Sequence, residues 1–275
     1  MTPTILAVLA HPDDESACSG TLAMAANRGW RVVLAVGTRG EAGEIADSSL
    51  ATAEALGKVR EIELKAACKV LGIDQVRFLD YRDSGMAGAP ENDLPESLFQ
   101  ADPGQVTGKI IKLIRELLPQ ILITFEPHGI YGHPDHIIIS RCTTRAFDMA
   151  RDPTAYPDSG NPSQPQIMYY NALPHKWFKS IYKRLKILNL ETTSIAQMIT
   201  STRENLHKVD RQITHEIDVS AYVRAKIDSL VCHRTQITPH SPFKNLLIPE
   251  MEDLMAQEFF IQARPEEVGG GFFEI

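Results

Sequence analysis

The sequence predicts an α/β fold, a three-layer sandwich built around a mainly parallel sheet. In the first half of the 275 residues, short apolar runs alternate with amphipathic stretches, the pattern of parallel strands between covering helices. After Ala150 a proline-rich stretch begins, and the periodic signals beyond it weaken. We therefore expect a Rossmann-like domain over residues 1–165. A smaller C-terminal α+β region over residues 166–275 would complete the pocket within the same compact unit.

Each element of the first half is predicted from its own spacing. Strands are expected at Ile5–Ala10, Arg31–Val36, Val76–Leu79 and Ile121–Phe125. Helices are expected at Ser16–Arg28, at about residues 50–71 and around Val106–Leu117, ending near Gly29, Gly72 and Pro119. In the second helix, Val59, Ile62, Ala66 and Val70 recur at helical spacing, so they should face the core. In the usual doubly wound order the first and fourth strands are neighbours, and ligands bind between their carboxyl ends.

The C-terminal region has fewer periodic patterns from which strands and helices can be predicted. Strands are expected at Ile167–Tyr170, Glu216–Val219 and Phe259–Ala263. A helix is expected at Ala221–His233, with Val223, Ile227, Leu230 and Val231 facing inward.

Composition and the first residues of the chain argue against a nucleic-acid partner, disulfide bonds and a targeting segment. The formal charge of −7 argues against nucleic acid, because a phosphate backbone needs a concentrated positive face. The four cysteines lie far apart, so neither a disulfide framework nor a thiolate metal site is expected. The first residues form a strand directly, without a basic segment or a long apolar stretch, which predicts no signal peptide, no membrane span and a cytoplasmic location. A homo-oligomer is compatible with the sequence, which does not specify one.

Two His/Asp motifs follow the first and fourth strands. The first is His11-Pro12-Asp13-Asp14-Glu15, and the second, Tyr131-Gly132-His133-Pro134-Asp135-His136, opens the next helix. Positions three apart in the first turn of a helix share a side, so each motif can direct two side chains toward one point. Three imidazole or carboxylate ligands with a fourth position open are typical of catalytic zinc. We therefore predict one Zn²⁺ per chain, although another divalent metal such as Fe²⁺ suits the same donors.

The adjacent carboxylates Asp13 and Asp14 can take two different roles in catalysis. One can bind the metal while the other accepts a proton from water, and an imidazole opposite can stabilise an oxyanion. Both aspartates could instead cap a helix, but two such clusters at adjacent strand ends favour a metal site. The glycines at positions 37, 40 and 43 follow the second strand rather than the first, so no nicotinamide cofactor is expected.

The motifs AHPDDE and YGHPDH resemble the motif pair of the PIG-L (LmbE-like) zinc de-N-acetylases. Further segments are similar to the family: Thr38–Glu41, Val59–Glu63, Tyr81–Met86 and His233–Gln236. The resemblance is dense in the first half of the chain and thin in the second. It implies that a zinc ion activates water for hydrolysis of an N-acyl bond.

The resemblance also implies roles for individual residues. It makes His11, Asp14 and His136 the zinc ligands and Asp13 the general base that later returns the proton to the amine. It makes His133, held by Asp135, an oxyanion stabiliser or acid, with Tyr131 beside it, and makes Arg60 and Asp83 contacts for sugar hydroxyls. Structural alternatives stay open: Arg60 could pair with Glu63 or Asp80 on a helix surface, Asp83 could hold a turn, and Tyr131 could pack in a wall.

The expected function is de-N-acetylation of an N-acetylglucosamine-type sugar derivative, with this small N-acyl amino sugar as the partner. An amidase of a thiol-sugar conjugate, or of another small N-acyl metabolite, would use the same chemistry. A non-catalytic sugar-binding protein of the same fold is a second alternative. A metal-dependent phosphoesterase is a third, but such sites commonly hold two metals about 3.5–4 Å apart, which needs more carboxylates.

Overall fold

The computed structural model describes residues 2–237, 242–266 and 269–274. Its strands are β1 (Thr4–Leu9), β2 (Arg31–Val36), β3 (Gln75–Phe78), β4 (Ile121–Phe125), β5 (Ile167–Ala172), β6 (His215–Asp218) and β7 (Gln257–Arg264). They form one seven-stranded sheet in the order β3-β2-β1-β4-β5-β7-β6. Strands β1 to β5 are parallel, whereas β7 runs antiparallel to both β5 and β6. The sheet therefore includes strands from both sides of residue 165.

Helices cover the sheet. They are α1 (Ser19–Asn27), α2 (Leu56–Leu71), α3 (Pro103–Leu117), α4 (Gly129–Gly132), α5 (Pro134–Met149), α6 (His175–Ile187), α7 (Thr193–Ser201), α8 (Arg203–Gln212), α9 (Val223–Cys232) and α10 (Glu252–Met255). Helices α1, α2 and α9 pack together, and α3 packs against α5. The predicted α/β class, with a mainly parallel sheet between helices, is confirmed.

The centre of the sheet is buried along its whole length and, apart from Thr4 and Thr124, apolar. Strands β1 and β4 are buried at every position, as expected for parallel strands covered on both faces. They are neighbours in register, with Ile5 beside Ile121, which confirms the predicted strand adjacency. The loops that follow these two strands therefore emerge side by side at one edge of the sheet.

The predicted core face of α2 is wrong. Ile62 is 67% exposed and Val70 is 42% exposed, whereas Arg60 and Glu63 are buried. The charged side chains can face inward because each finds partners there: the Glu63 carboxylate accepts hydrogen bonds from the amide and hydroxyl of Thr235 at 2.9 and 2.6 Å. The buried face also carries Leu64, Ala67, Cys68 and Leu71, which recur at helical spacing as well, so apolar spacing alone does not choose between the two stripes.

The C-terminal region adds helices that the sequence pattern did not indicate, α6, α7 and α8. Helices α6, α7, α9 and α10, with the turns just before α10, build a second apolar cluster, comprising Ile181, Leu185, Ile195, Val223, Ile227, Leu230, Leu246, Met251 and Met255. In α9 the predicted inward residues are buried except Val231, which is 47% exposed. Among the described residues, no helix combines the length and apolar character needed to cross a membrane.

Candidate metal centre

The loop after β1 fixes the first motif by folding back on itself. Asp13 has a positive φ of 109°, and a short 3-10 turn follows at Asp14–Ala17. This geometry brings one Asp14 oxygen, Oδ2, to the amides of Ala10 and His11, at 3.2 and 2.7 Å. The carboxylate is held by backbone donors at the end of the strand, so its other oxygen has a defined direction.

The loop after β4 positions the second motif at the start of α5. His133 is the N-cap of this helix, and its Nδ1 accepts a hydrogen bond from the amide of Asp135 at 3.2 Å. Pro134 occupies the first turn, where its lack of an N–H costs nothing. The ring of His136 stacks on Phe125 with centroids 4.0 Å apart, which fixes the orientation of the imidazole.

Donor atoms from the two motifs converge on one point. His136 Nε2 lies 3.3 Å from His11 Nδ1 and 3.2 Å from Asp14 Oδ1, and His11 Nδ1 lies 3.5 Å from Asp14 Oδ2. Zinc bonds of about 2.0–2.1 Å in a tetrahedron place neighbouring donors about 3.3–3.4 Å apart. Two imidazoles and one carboxylate, which offers a different oxygen to each ring, are close enough to hold a single divalent ion. His11, His133 and His136 also place ring nitrogens within 4.8 Å of one another, as do donor atoms of His11, Asp83 and Asp135.

The remote side of His11 faces two further carboxylates. Its Nε2 lies 3.2 Å from Asp135 Oδ2 and 3.4 Å from Asp83 Oδ1. A carboxylate partner there keeps the proton on Nε2 and leaves the Nδ1 lone pair for a metal. Burial alone lowers the pKa of His11, but Asp83, Asp135 and Asp14 together outweigh burial and raise it well above its usual value.

Asp135 and Asp83 occupy different environments from those that the sequence suggested. The Asp135 carboxylate contacts His11 and accepts hydrogen bonds from the amide and hydroxyl of Ser84; only its backbone N–H reaches His133, because a helix N-cap takes its bonds from backbone amides. The Asp83 carboxylate is buried and accepts bonds from the amides of Ala42 and Gly85. Burial raises the pKa of Asp83, but His11 and the backbone donor lower it far below its usual range.

Asp13 lies beside the three converging donors, and Arg60 holds it there. Its Oδ2 is 3.3 Å from Arg60 Nη2, and the same guanidinium donates to the carbonyls of Pro12 and Gly40 at 2.6 and 2.8 Å. Burial raises the pKa of Asp13 to about 6 despite the nearby guanidinium. The arginine is therefore buried within the loops of the site rather than paired on a helix surface.

Replacing Arg60 with lysine should lower the free energy of unfolding by about 1.5–3 kcal/mol, the range for a lost hydrogen bond to a charged group. A single ammonium cannot bridge two carbonyls and a carboxylate as the planar guanidinium does. Urea denaturation provides the measurement, and Arg224→Lys is the control, because the Arg224 side chain is 79% exposed and pairs with Asp228 along one helix turn. Equal stability of both variants would show that the Arg60 contacts contribute nothing specific.

His133 and Tyr131 both present neutral groups to the site. Burial, followed by the neighbouring imidazoles of His11 and His136, lowers the pKa of His133 to about 3. Since Nδ1 accepts a backbone hydrogen bond, the proton of the neutral ring belongs on Nε2. The Tyr131 ring packs edge-on against His136 with centroids 5.1 Å apart, and burial raises the pKa of its hydroxyl.

A buried pair that sequence reasoning missed links the motif to the C-terminal region. His233 Nε2 lies 2.6 Å from Glu15 Oε1, and the other oxygen of Glu15 accepts a bond from the amide of Asp13 at 3.0 Å. The sequence offered two hints, the glutamate that closes HPDDE and the HRTQ segment. Nothing in the spacing joins residues 218 positions apart.

A cavity of about 660 Å³ opens at the centre. Asp13, Asp14, Tyr131 and His136 form part of its wall. His11, Arg60, Asp83, His133 and Asp135 are not among its lining residues, although the His133 ring lies beside those of His11 and His136, with centroids 4.5 and 5.2 Å away.

Comparison with known proteins agrees with this fold. The sequence matches the profile of the PIG-L family, described as GlcNAc-PI de-N-acetylase, across residues 6–147. It is 38% identical to a 1D-myo-inositol 2-acetamido-2-deoxy-alpha-D-glucopyranoside deacetylase of Thermobispora bispora, over 93% of this chain and 86% of that protein.

Among solved structures, N,N'-diacetylchitobiose deacetylase from Pyrococcus horikoshii superposes with a TM-score of 0.64 at 16% identity, covering 94% of this chain and 83% of that one. The hydratase GalB from Pseudomonas putida superposes almost as well, with a TM-score of 0.63 at 16% identity, covering 98% and 99%. At this identity the superpositions show the fold alone.

Fold and site together define an α/β protein with a His/Asp centre at the carboxyl ends of its parallel strands. The chain belongs to the PIG-L family, whose matched curated relatives are deacetylases, hydrolases that act on amide C–N bonds.

Proposed function

We propose that this protein is a zinc-dependent hydrolase that removes the acetyl group from an N-acetylglucosamine-type sugar derivative. The observation that carries the proposal is the convergence of His11, Asp14 and His136 within 3.2–3.5 Å, with Asp13 beside them in a cavity. The matched relative from Thermobispora acts on an acetamido sugar linked to inositol, which supports a substrate of this class.

In the proposed mechanism His11, Asp14 and His136 hold the ion. When bound, zinc polarises the amide carbonyl and lowers the pKa of water toward about 7. Asp13 takes the proton of the attacking water, a task that suits a base with a pKa near neutral. Arg60 keeps the Asp13 carboxylate in place, and Asp13 then returns the proton to the departing amine.

His133 is proposed to stabilise the oxyanion. As a neutral ring with its proton on Nε2, it can donate a hydrogen bond to the negative oxygen that develops during attack. Tyr131 supplies a second neutral donor or wall contact next to it. Asp135 and Asp83 act on His11 from behind, where they fix its tautomer and strengthen it as a ligand.

The first experiment is amine release from a panel of N-acetylated amino sugars and thiol-sugar conjugates, with zinc-loaded protein beside His11→Ala. We expect release from an N-acetylglucosamine derivative, and loss of both release and stoichiometric zinc in the variant, because one of three ligands is gone. Release only from the thiol-sugar conjugates would replace the acetyl assignment with an amidase function. Tight zinc binding with no release across the panel would favour a binding protein.

Metal counting needs one further control. His175, His207 and Asp210 also place ligand atoms within 4.8 Å of one another, so adventitious metal there would inflate the count. Zinc content is therefore measured in a His207→Ala background as well. One equivalent that disappears with His11→Ala is the expected result.

A further inference from the structure

Away from the metal centre, the wall of the cavity is mostly apolar. Beyond the polar residues named above, it is formed largely by apolar side chains from the residue after β5, from α6, α7 and α9, and from the segment before β7. These are Leu173, Trp177, Phe178, Ile181, Ile195, Met198, Leu230, Leu246 and Met255. Several belong to the second apolar cluster described above, so the cluster exposes one side to the cavity.

Besides the residues of the two motifs, the polar side chains of the wall are Ser16, Glu44, Gln197, Lys226, Gln257 and Glu258, which the apolar side chains outnumber. Lys226 and Glu258 form a buried ion pair with each other. The Glu258 carboxylate also accepts hydrogen bonds from the amides of Gly20 and Thr21, both at 2.8 Å. This pair is therefore committed to the protein and is poorly suited to bind the hydroxyls of a sugar.

The cavity is also larger than an acetyl group requires. Its volume of about 660 Å³ lies within the roughly 300–1,000 Å³ of pockets that enclose whole ligands. An acetyl methyl would contact only a small part of the apolar wall. Each further methylene buried there should strengthen binding about fourfold.

We propose that the apolar part of this cavity receives the acyl chain of the substrate, so that the enzyme also hydrolyses N-acyl amino sugars with chains longer than acetyl. The proposal rests on the hydrolase function above and extends its substrate class. Water adds to the acyl carbon, the C–N bond breaks, and a fatty carboxylate and the free amine leave.

The position of the cavity favours the acyl side over the amine side. Its wall includes Asp14 and His136, beside which the carbonyl would be held, so a chain on the carbonyl carbon would start within the cavity. An apolar group on the far side of the sugar is separated from the carbonyl by the whole ring. That ring would need polar partners where the wall offers mostly apolar surface.

The test compares kcat/KM for N-acetyl-, N-butanoyl- and N-octanoylglucosamine, and for octyl N-acetylglucosaminide, which places the same chain on the sugar. We expect kcat/KM to rise at least tenfold from acetyl to octanoyl, and the octyl glycoside to behave like N-acetylglucosamine. No rise with acyl length would overturn the proposal. A rise with the glycoside alone would also overturn it, because the occupant would then be the aglycone.

Two variants on α7 link the effect to the cavity. Met198 lines it, whereas Ile199 packs against the same apolar cluster without lining it. Met198→Gln should lower the octanoyl-to-acetyl ratio of kcat/KM by about fourfold or more, and Ile199→Gln should leave that ratio unchanged. Equal changes in both variants would argue against a chain in the cavity.

A binding measurement separates failure of this proposal from failure of the proposed function. The chain has two tryptophans, and Trp177 lines the cavity, so Trp30→Phe leaves one reporter. Octanoate should shift the Trp177 emission to shorter wavelength with saturation, and acetate should not. Saturable binding of octanoate without turnover of any sugar would preserve the apolar site and reject the hydrolase function; no response to octanoate would reject the site itself.

Discussion

Asp13→Asn is expected to lower kcat by about 10²–10⁴-fold, the usual contribution of a positioned general base. Asparagine keeps the shape of the side chain and its contact with Arg60, but it cannot accept a proton from water. Zinc content should stay near that of the unchanged protein, because Asp13 is not among the three converging donors. Steady-state amine release and metal analysis on the same preparations provide the two readouts.

The matched control is Asp158→Asn, an exposed aspartate outside the cavity wall, which should change neither readout. Full turnover by Asp13→Asn would reject Asp13 as the base. Loss of zinc from that variant would instead assign Asp13 to the ligand set, so the two measurements together distinguish base from ligand.

Glu258→Gln is expected to lower the free energy of unfolding by about 3–5 kcal/mol, because it leaves the Lys226 ammonium buried without its partner charge. Glu258 is 2% exposed and Lys226 is 5% exposed. The substitution also weakens the acceptor for the first amides of α1, at Gly20 and Thr21. Urea denaturation of the full chain measures the loss.

A second ion pair serves as the control for this effect. Glu216 pairs with Lys176, and their side chains are 44% and 54% exposed. Glu216→Gln should therefore cost less than about 1 kcal/mol, as is usual for exposed pairs. Similar losses of unfolding free energy in both variants would mean that burial does not make the Glu258–Lys226 pair more stabilising than an exposed pair.

These variants probe two different uses of burial. Around Asp13, burial raises a carboxyl pKa toward the range in which it can exchange protons. Around Glu258, it encloses an ion pair at the junction between α1, α9 and β7. Both follow from the same physics, since removing charge from water is costly unless a partner compensates.

The sequence predicted the main features of the catalytic half. The strand runs gave the bounds of β2 and β4 without error and those of β1 and β3 to within one residue. Parallel topology then implied that the loops after β1 and β4 lie together. This adjacency depends only on strand order and on local apolar patterning, which are properties that a single sequence carries.

Other features could not be read from spacing. The inward face of α2 was misassigned because two stripes have helical apolar spacing, and the buried one, with Leu64 and Leu71, also carries Arg60 and Glu63, whose partners are distant in sequence. We predicted that Asp135 would hold His133, but its carboxylate contacts His11 instead. Which histidine it reaches depends on how the loops after β1 and β4 pack against each other. The partners of a buried polar group are set by tertiary contacts that local periodicity does not encode.

The sequence by itself therefore determined the fold class, the family resemblance and the two motifs that meet at the carboxyl ends of β1 and β4. Only the tertiary structure decided which atoms converge to 3.2–3.5 Å, which charges lie behind them, and that an apolar cavity extends from the centre. The physical reason is that strands and helices follow from short-range periodicity. The cavity and the polar network are built from side chains that only folding brings together.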